Sequence, residues 1–208
     1  MTNPLTYVIT LQSQPERQAR CSAHLQERGY AAYSWRGVDA AKMGLQTRFT
    51  HRLPDGTDYN PPAKHVGLCL SHWMLWRELM VLRHFPETEF DHYGIMEDDV
   101  VLDPNWKSML DSAMADLPED WDILFAGSCH VRTYNPTHYK GLLWKCEKPN
   151  CTHFYLVRAK ALPTLIDACE RIYTNIDWAI IEQALPRLNS FVVLPRIAGQ
   201  HGMEDLPE

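Results

Sequence analysis

The apolar run Tyr93-Gly94-Ile95-Met96 gives way to three consecutive acids, Glu97-Asp98-Asp99, and resumes as Val100-Val101-Leu102. A short apolar run of this kind reads as a buried strand. Three carboxylates at its mouth are costly to leave unpaired, so a divalent cation is their natural partner. An oxygen-only ligand set suits a hard ion such as Mg2+ or Mn2+, which can in turn hold the phosphates of a nucleotide. The plain alternative is that the acids end a strand, with Asp98 or Asp99 capping the next turn. In open α/β sheets ligands collect outside the carboxyl ends of the strands, and a central strand over residues 93–97 puts the triplet there.

The rest of the chain alternates in the same way. Residues 5–11 read as a first strand, and the capping-box spacing of Ser13 and Glu16 starts a helix that Gly29 can stop. Residues 31–38 form a second strand, and residues 39–64, rich in Gly, Pro, Asp and Asn, a long loop. From Val66 to Leu82 apolar residues occur on more than one helical face, which predicts a buried helix ending near Phe85-Pro86. After the acid strand, Asp103-Pro104 offers an N-cap with proline at N1 for a helix carrying Trp106, Met109, Leu110 and Ala113. Strands follow at residues 122–126, 152–157 and 191–194, helices at 158–169 and 176–185, and a second long loop at 127–150. The pattern predicts an α/β fold in one domain over residues 1–208.

Composition limits the function classes. A 45% hydrophobic content over 208 residues is enough for a sizeable core, and a net charge of −6 without a basic tract gives no footprint for nucleic acid. No segment approaches a membrane span, and the interrupted run 5–11 is too short for a signal core, so a cytoplasmic location is expected. Six cysteines, Cys21, Cys69, Cys129, Cys146, Cys151 and Cys169, show no disulfide framework. Cys146, Cys151 and His153 invite a zinc reading. Structural zinc usually takes four ligands in tight pairs and no second pair exists, so buried free thiols are expected.

These residues resemble a known family. The segment Val8-Ile9-Thr10-Leu11 with Arg17, the segment Val66-Gly67-Leu68-Cys69-Leu70-Ser71-His72 with Trp76, and residues 95–102 look like the pattern of glycosyltransferase family 25. That family includes bacterial lipopolysaccharide and lipooligosaccharide galactosyltransferases and collagen galactosyltransferases. The likeness continues through Phe154-Tyr155-Leu156-Val157, Ala161, Leu165, Ile176-Asp177, Leu194-Pro195 and Gln200.

The resemblance implies a GT-A type nucleotide-diphospho-sugar fold, a mixed and mostly parallel sheet flanked by helices. Glu97 and Asp99 stand at the D-x-D spacing of its metal site. It implies Asp99 as direct ligand of Mn2+ or Mg2+, and Glu97 or Asp98 on the ribose or a metal-bound water. Thr10, Leu11 and Arg17 would face the base and phosphates, and Gly37, Val38 and Asp39 the ribose. His201 would complete the metal site, or else lie in an unstructured tail. Asp177 would be the general base of an inverting transfer, its alternative role being a helix N-cap. The donor implied is a UDP-hexose, galactose or glucose, and the acceptor a glycan, lipid-linked glycan or protein hydroxyl. Where the family often has Gly-Glu before its Val-Gly, this chain has Lys64-His65, which leaves that glutamate's role unfilled.

Among the remaining residues, Ser71 and His72 adjoin on a helix and point apart, so each is expected in a structural hydrogen bond. Trp73, Trp76 and Trp106 read as core, and Trp178 as a possible sugar platform. Two other functions use the same features. A metal-dependent nucleotidyltransferase or phosphohydrolase would surround the phosphates with more basic groups or carboxylates. A non-catalytic sugar-nucleotide or glycan-binding module would lack the base.

Overall fold

The computed structural model describes residues 4–52, 56–82, 90–129 and 134–202. The expected helix end at Phe85-Pro86 lies outside them.

Eight strands form one mixed sheet in the order β2-β1-β5-β10-β7-β11-β9-β8. They are β1 (Leu5–Thr10), β2 (Tyr33–Arg36), β5 (His92–Glu97), β7 (Ile123–Cys129), β8 (Thr137–Lys140), β9 (Leu143–Lys145), β10 (Asn150–Arg158) and β11 (Ser190–Val193). Strand β1 runs parallel to β2 and β5, and β7 parallel to β11, while β10 lies antiparallel between β5 and β7. The carboxyl ends of β1, β2, β5 and β7 and the amino end of β10 therefore meet along one edge of the sheet.

Helices cover both faces. On one, α2 (Ala63–Leu82), α4 (Leu162–Ala168) and the short α5 (Ile176–Ala179) bury Leu75, Trp76, Leu79, Leu165 and Ile176 against Ile95, Tyr155 and Val157. On the other, α1 (Pro15–Glu27) and α3 (Trp106–Asp116) bury Cys21, Leu25, Trp106 and Leu110 against Val8, Met96, Phe154 and Leu156. Strand alternation accounts for the division, since Ile95 and Met96 point to opposite faces. The burial of α2 on several sides follows from its position over the sheet centre and beside α4, and it is as apolar as such a site demands.

Local signals fix the element ends. Gly29 takes a left-handed φ of +67° and terminates α1. Helix α1 begins at Pro15 without a side-chain cap, so the Ser13/Glu16 box does not form, and Ser13 turns to Asp39 instead. Helix α3 starts at Trp106, two residues past Pro104, with Asn105 at its N-cap, and the Asp103 carboxylate accepts the Asn105 N–H in the turn ahead of it. The predicted loop 39–64 contains a small strand pair, β3 (His51–Arg52) with β4 (Asp58–Tyr59). The predicted loop 127–150 is corrected further: β7 continues to Cys129, and β8 and β9 form a hairpin turning at Gly141 (φ +53°) that extends the sheet beyond β11. Its outer strand is exposed throughout and carries no apolar alternation to betray it.

A second pair of short strands lies off the main sheet. Strand β6 (Val100–Leu102) pairs antiparallel with β12 (Ala198–Gln200), so the late segment returns to the acid triplet.

Candidate active site

Strand β5 delivers the triplet to the shared edge and distributes its three acids differently. Glu97 faces α2. Its Oε1 accepts the Thr152 hydroxyl at 2.5 Å and lies 3.6 Å from His72 Nε2. His72 is fully buried and its Nδ1 pairs with the Tyr155 hydroxyl at 2.9 Å, while Trp76 Nε1 donates to that hydroxyl at 2.8 Å. The His72 ring therefore sits between the Tyr155 hydroxyl and the Glu97 carboxylate. Burial alone would raise the Glu97 pKa, but the His72 and Thr152 interactions outweigh it and hold the carboxyl below its ordinary value.

Asp98 faces α1, where Arg17 donates to its Oδ1 at 2.5 Å and lies 3.2 Å from Asp99 Oδ2. Burial exceeds the Arg17 attraction and moves the Asp98 pKa up. Asp99 sits in the turn just beyond β5. Desolvation, then the Glu97 charge, push its pKa up to about 6, and its Oδ1 is buried without a hydrogen-bond partner among the described residues. An orphaned carboxylate oxygen of this sort carries a desolvation cost that a cation removes. The oxygen donor set at Asp99 fits Mn2+ or Mg2+.

The other predicted residues lie on neighbouring elements. The His201 backbone N–H donates to the Asp99 carbonyl at 2.7 Å, placing this exposed histidine beside the triplet. Thr10 ends β1 with its hydroxyl 3.0 Å from that of Ser34, and Leu11 follows it. Gly37, Val38 and Asp39 leave β2 along a cleft of about 690 Å³ that also includes Gln12 and Ser13. Asp39 accepts the Ser13 hydroxyl and the Lys42 N–H, and these bonds lower its pKa. Ser71 takes the structural role expected of it, accepting the Val38 N–H at 2.8 Å and donating to the Gly67 carbonyl at 2.7 Å. A Cβ on Gly67 would lie 2.5 Å from the Val38 carbonyl oxygen, so glycine lets α2 approach this loop.

Asp177 stands in the first turn of α5 rather than at its N-cap, which is Asn175. Its carboxylate accepts the N–H of Trp178 at 2.9 Å and of Cys151 at 3.3 Å. Burial raises its pKa, with Glu97 adding to the effect, so the two carboxylates feel one another. Trp178 lines a separate cleft of about 1060 Å³ with Tyr134, Lys148 and Glu182.

Sequence reasoning did not place Thr152 in the site, and it read His72 as structural only. Nothing in their local spacing marks Thr152 or Cys129, whereas His153 is visible as a lone imidazole in an apolar strand. Cys146, paired with Cys151 and His153 on sequence proximity, does not join them; Cys129 takes that place.

The mixed eight-stranded sheet flanked by helices is the GT-A glycosyltransferase fold. It is shared with a glycosyltransferase involved in glycosylating the major capsid of PBCV-1, at 13% identity and a TM-score of 0.51, over 92% of this chain and 82% of that one. Residues 3–180 match glycosyltransferase family 25 (LPS biosynthesis protein), and the chain belongs to that family. It is also 26% identical over 214 aligned residues to the procollagen lysyl hydroxylase and glycosyltransferase of Acanthamoeba polyphaga mimivirus, covering 97% of this chain and 22% of that protein's length.

Proposed function

We propose that the chain, acting as one domain, moves a hexose, galactose or glucose, from a UDP-sugar to a hydroxyl on a glycan, lipid-linked glycan or protein, with inversion at the anomeric carbon. The observation that carries this reading is Asp99 Oδ1, buried and unpartnered at the carboxyl edge of the sheet. Asp99, with His201 and Glu97, would hold Mn2+ or Mg2+. When bound, the ion supplies positive charge to the diphosphate leaving group.

The chain's own residues perform the remaining tasks. Arg17 fixes Asp98 and keeps Asp99 turned toward the edge, while its charge faces the phosphates. The loop Gly37-Val38-Asp39, with Thr10 and Leu11, receives the nucleoside in the adjoining cleft. Asp177 takes the acceptor hydroxyl's proton as that oxygen bonds to the anomeric carbon. The bond from that carbon to the diphosphate breaks, and its electron pair leaves with UDP. A carboxylate with a raised pKa is the stronger base for this step. The cleft beside Trp178 provides an aromatic wall for the acceptor. All six cysteines are free, which suits a reducing compartment such as cytoplasm. Among the described residues no helix is long and apolar enough to cross a membrane.

A thermal-shift panel of nucleotide sugars with and without Mn2+ tests the proposal, because a ligand of the native state raises stability by mass action. UDP-galactose or UDP-glucose should give the largest metal-dependent shift, and EDTA should abolish transfer until Mn2+ or Mg2+ is restored. Full transfer after exhaustive chelation would overturn it.

A further inference from the structure

Beside the carboxylates lies a second cluster of a different chemical kind. The sulfurs of Cys129 and Cys151 and a ring nitrogen of His153 all lie within 4.8 Å of one another. Cys129 ends β7, and Cys151 and His153 open the neighbouring β10. We propose that these three residues form a zinc site, separate from the oxygen-ligated donor metal, that pins β7 to β10 beneath the acid triplet.

Three observations support it. First, His153 is fully buried; its Nε2 pairs with the Ala198 carbonyl at 3.0 Å, while Nδ1 is buried without a hydrogen-bond partner among the described residues. A histidine that gives one ring N–H to a backbone carbonyl presents the other nitrogen as a lone pair, the usual arrangement of a metal-ligating imidazole. Second, the ring cannot drift. A Cβ on Gly127 would lie 2.2 Å from Nε2, so the strand behind it is already in contact. Third, Cys151 holds a left-handed φ of +71°, a conformation a non-glycine residue adopts at a cost.

The donor types select the ion. Two thiolates and an imidazole suit zinc, and suit Mn2+ or Mg2+ poorly. Zinc–sulfur bonds of about 2.3 Å in a tetrahedron set ligand atoms about 3.7 Å apart, so the cluster closes with side-chain movements of about an ångström. Gln200 Oε1, 3.7 Å from the Cys129 sulfur, is placed to supply the fourth ligand. Binding would release a proton from each thiol, leaving a site with no net charge beside Glu97 and Asp99. Cys151 is only half-buried, which leaves the ion a route in. Because His153 is tied to Ala198 on β12, the site would also steady the strand that brings His201 to Asp99. It stands whichever sugar donor the enzyme uses.

The test is metal analysis of the full chain, purified without chelator from zinc-containing medium, together with Co2+ spectroscopy. Zinc should be equimolar with protein, and Co2+ should give a thiolate-to-metal charge-transfer band. Cys129→Ser and Cys151→Ser should each lose both signals, whereas Cys146→Ser and Asp99→Asn should keep them. A zinc-free wild type whose Co2+ form lacks the thiolate band overturns the proposal, even if the cysteine variants fail to fold. So does loss of zinc in Asp99→Asn, which would mean that the metal belongs to the donor site.

Discussion

The backbone N–H of His201 donates to the carbonyl oxygen of Asp99 at 2.7 Å, closing the pairing of β12 with β6. That bond carries the imidazole of a late residue to a strand turn a hundred positions earlier in the chain. His201→Ala should fold as wild type, since the side chain is exposed. If the imidazole is a metal ligand, Mn2+-dependent UDP affinity should fall about tenfold or more, about 1.4 kcal/mol. Calorimetry with UDP and Mn2+ measures it, and an unchanged affinity removes His201 from the metal site.

Asp99→Asn should abolish metal-dependent donor binding while retaining the fold. It should also change the pH profile of metal-free stability in a defined direction. The folded-state pKa of Asp99 is raised to about 6, from an ordinary value of 3.8. The native state thus holds this proton more tightly than the unfolded chain. Its contribution to stability is present at low pH and is lost as pH rises through about 6. Asparagine never takes the charge, so the variant should gain on wild type above pH 6 and lose that advantage near pH 4. Denaturant melts at both pH values under EDTA check this.

Asp177→Asn should keep donor affinity and lower turnover by roughly a hundredfold or more. The carboxylate accepts two backbone N–H groups, and an amide can accept only through its one oxygen, so a stability loss of about 1 kcal/mol should accompany it. Single-turnover rates, with UDP binding as the control, separate the two effects. Near wild-type turnover would mean that the base lies elsewhere.

Gly67→Ala should act at a distance. Its Cβ would press on the Val38 carbonyl, so α2 or the Gly37-Val38-Asp39 loop must move. A destabilisation of about 1–3 kcal/mol is expected, with a raised KM for the donor sugar. A variant matching wild type in both melting temperature and KM would show that this loop does not carry the nucleoside.

Much of this was legible from short stretches of chain. The strand ahead of Glu97, the buried helix through Trp76 and the stop at Gly29 depend on periodicity or on one residue's backbone freedom, and all three occur as read. The β8–β9 hairpin was not legible, because its strands are held by pairing to β11 rather than by an apolar pattern of their own. The Ser13 cap failed for a related reason: Asp39, twenty-six positions away, was the stronger partner.

The division is sharpest within the site. The residue order alone determined that three carboxylates leave a buried strand together, because a strand's end is a local event. Tertiary structure decided their separate environments. Alternation at the end of β5 brings Glu97 to His72 and Asp98 to Arg17, and the turn leaves Asp99 with an unpaired oxygen. It also replaced Cys146 with Cys129 as the neighbour of Cys151 and His153. Proximity in sequence could not reveal that exchange, because the order of strands in the sheet, set by burial of both faces, determines which strand ends meet.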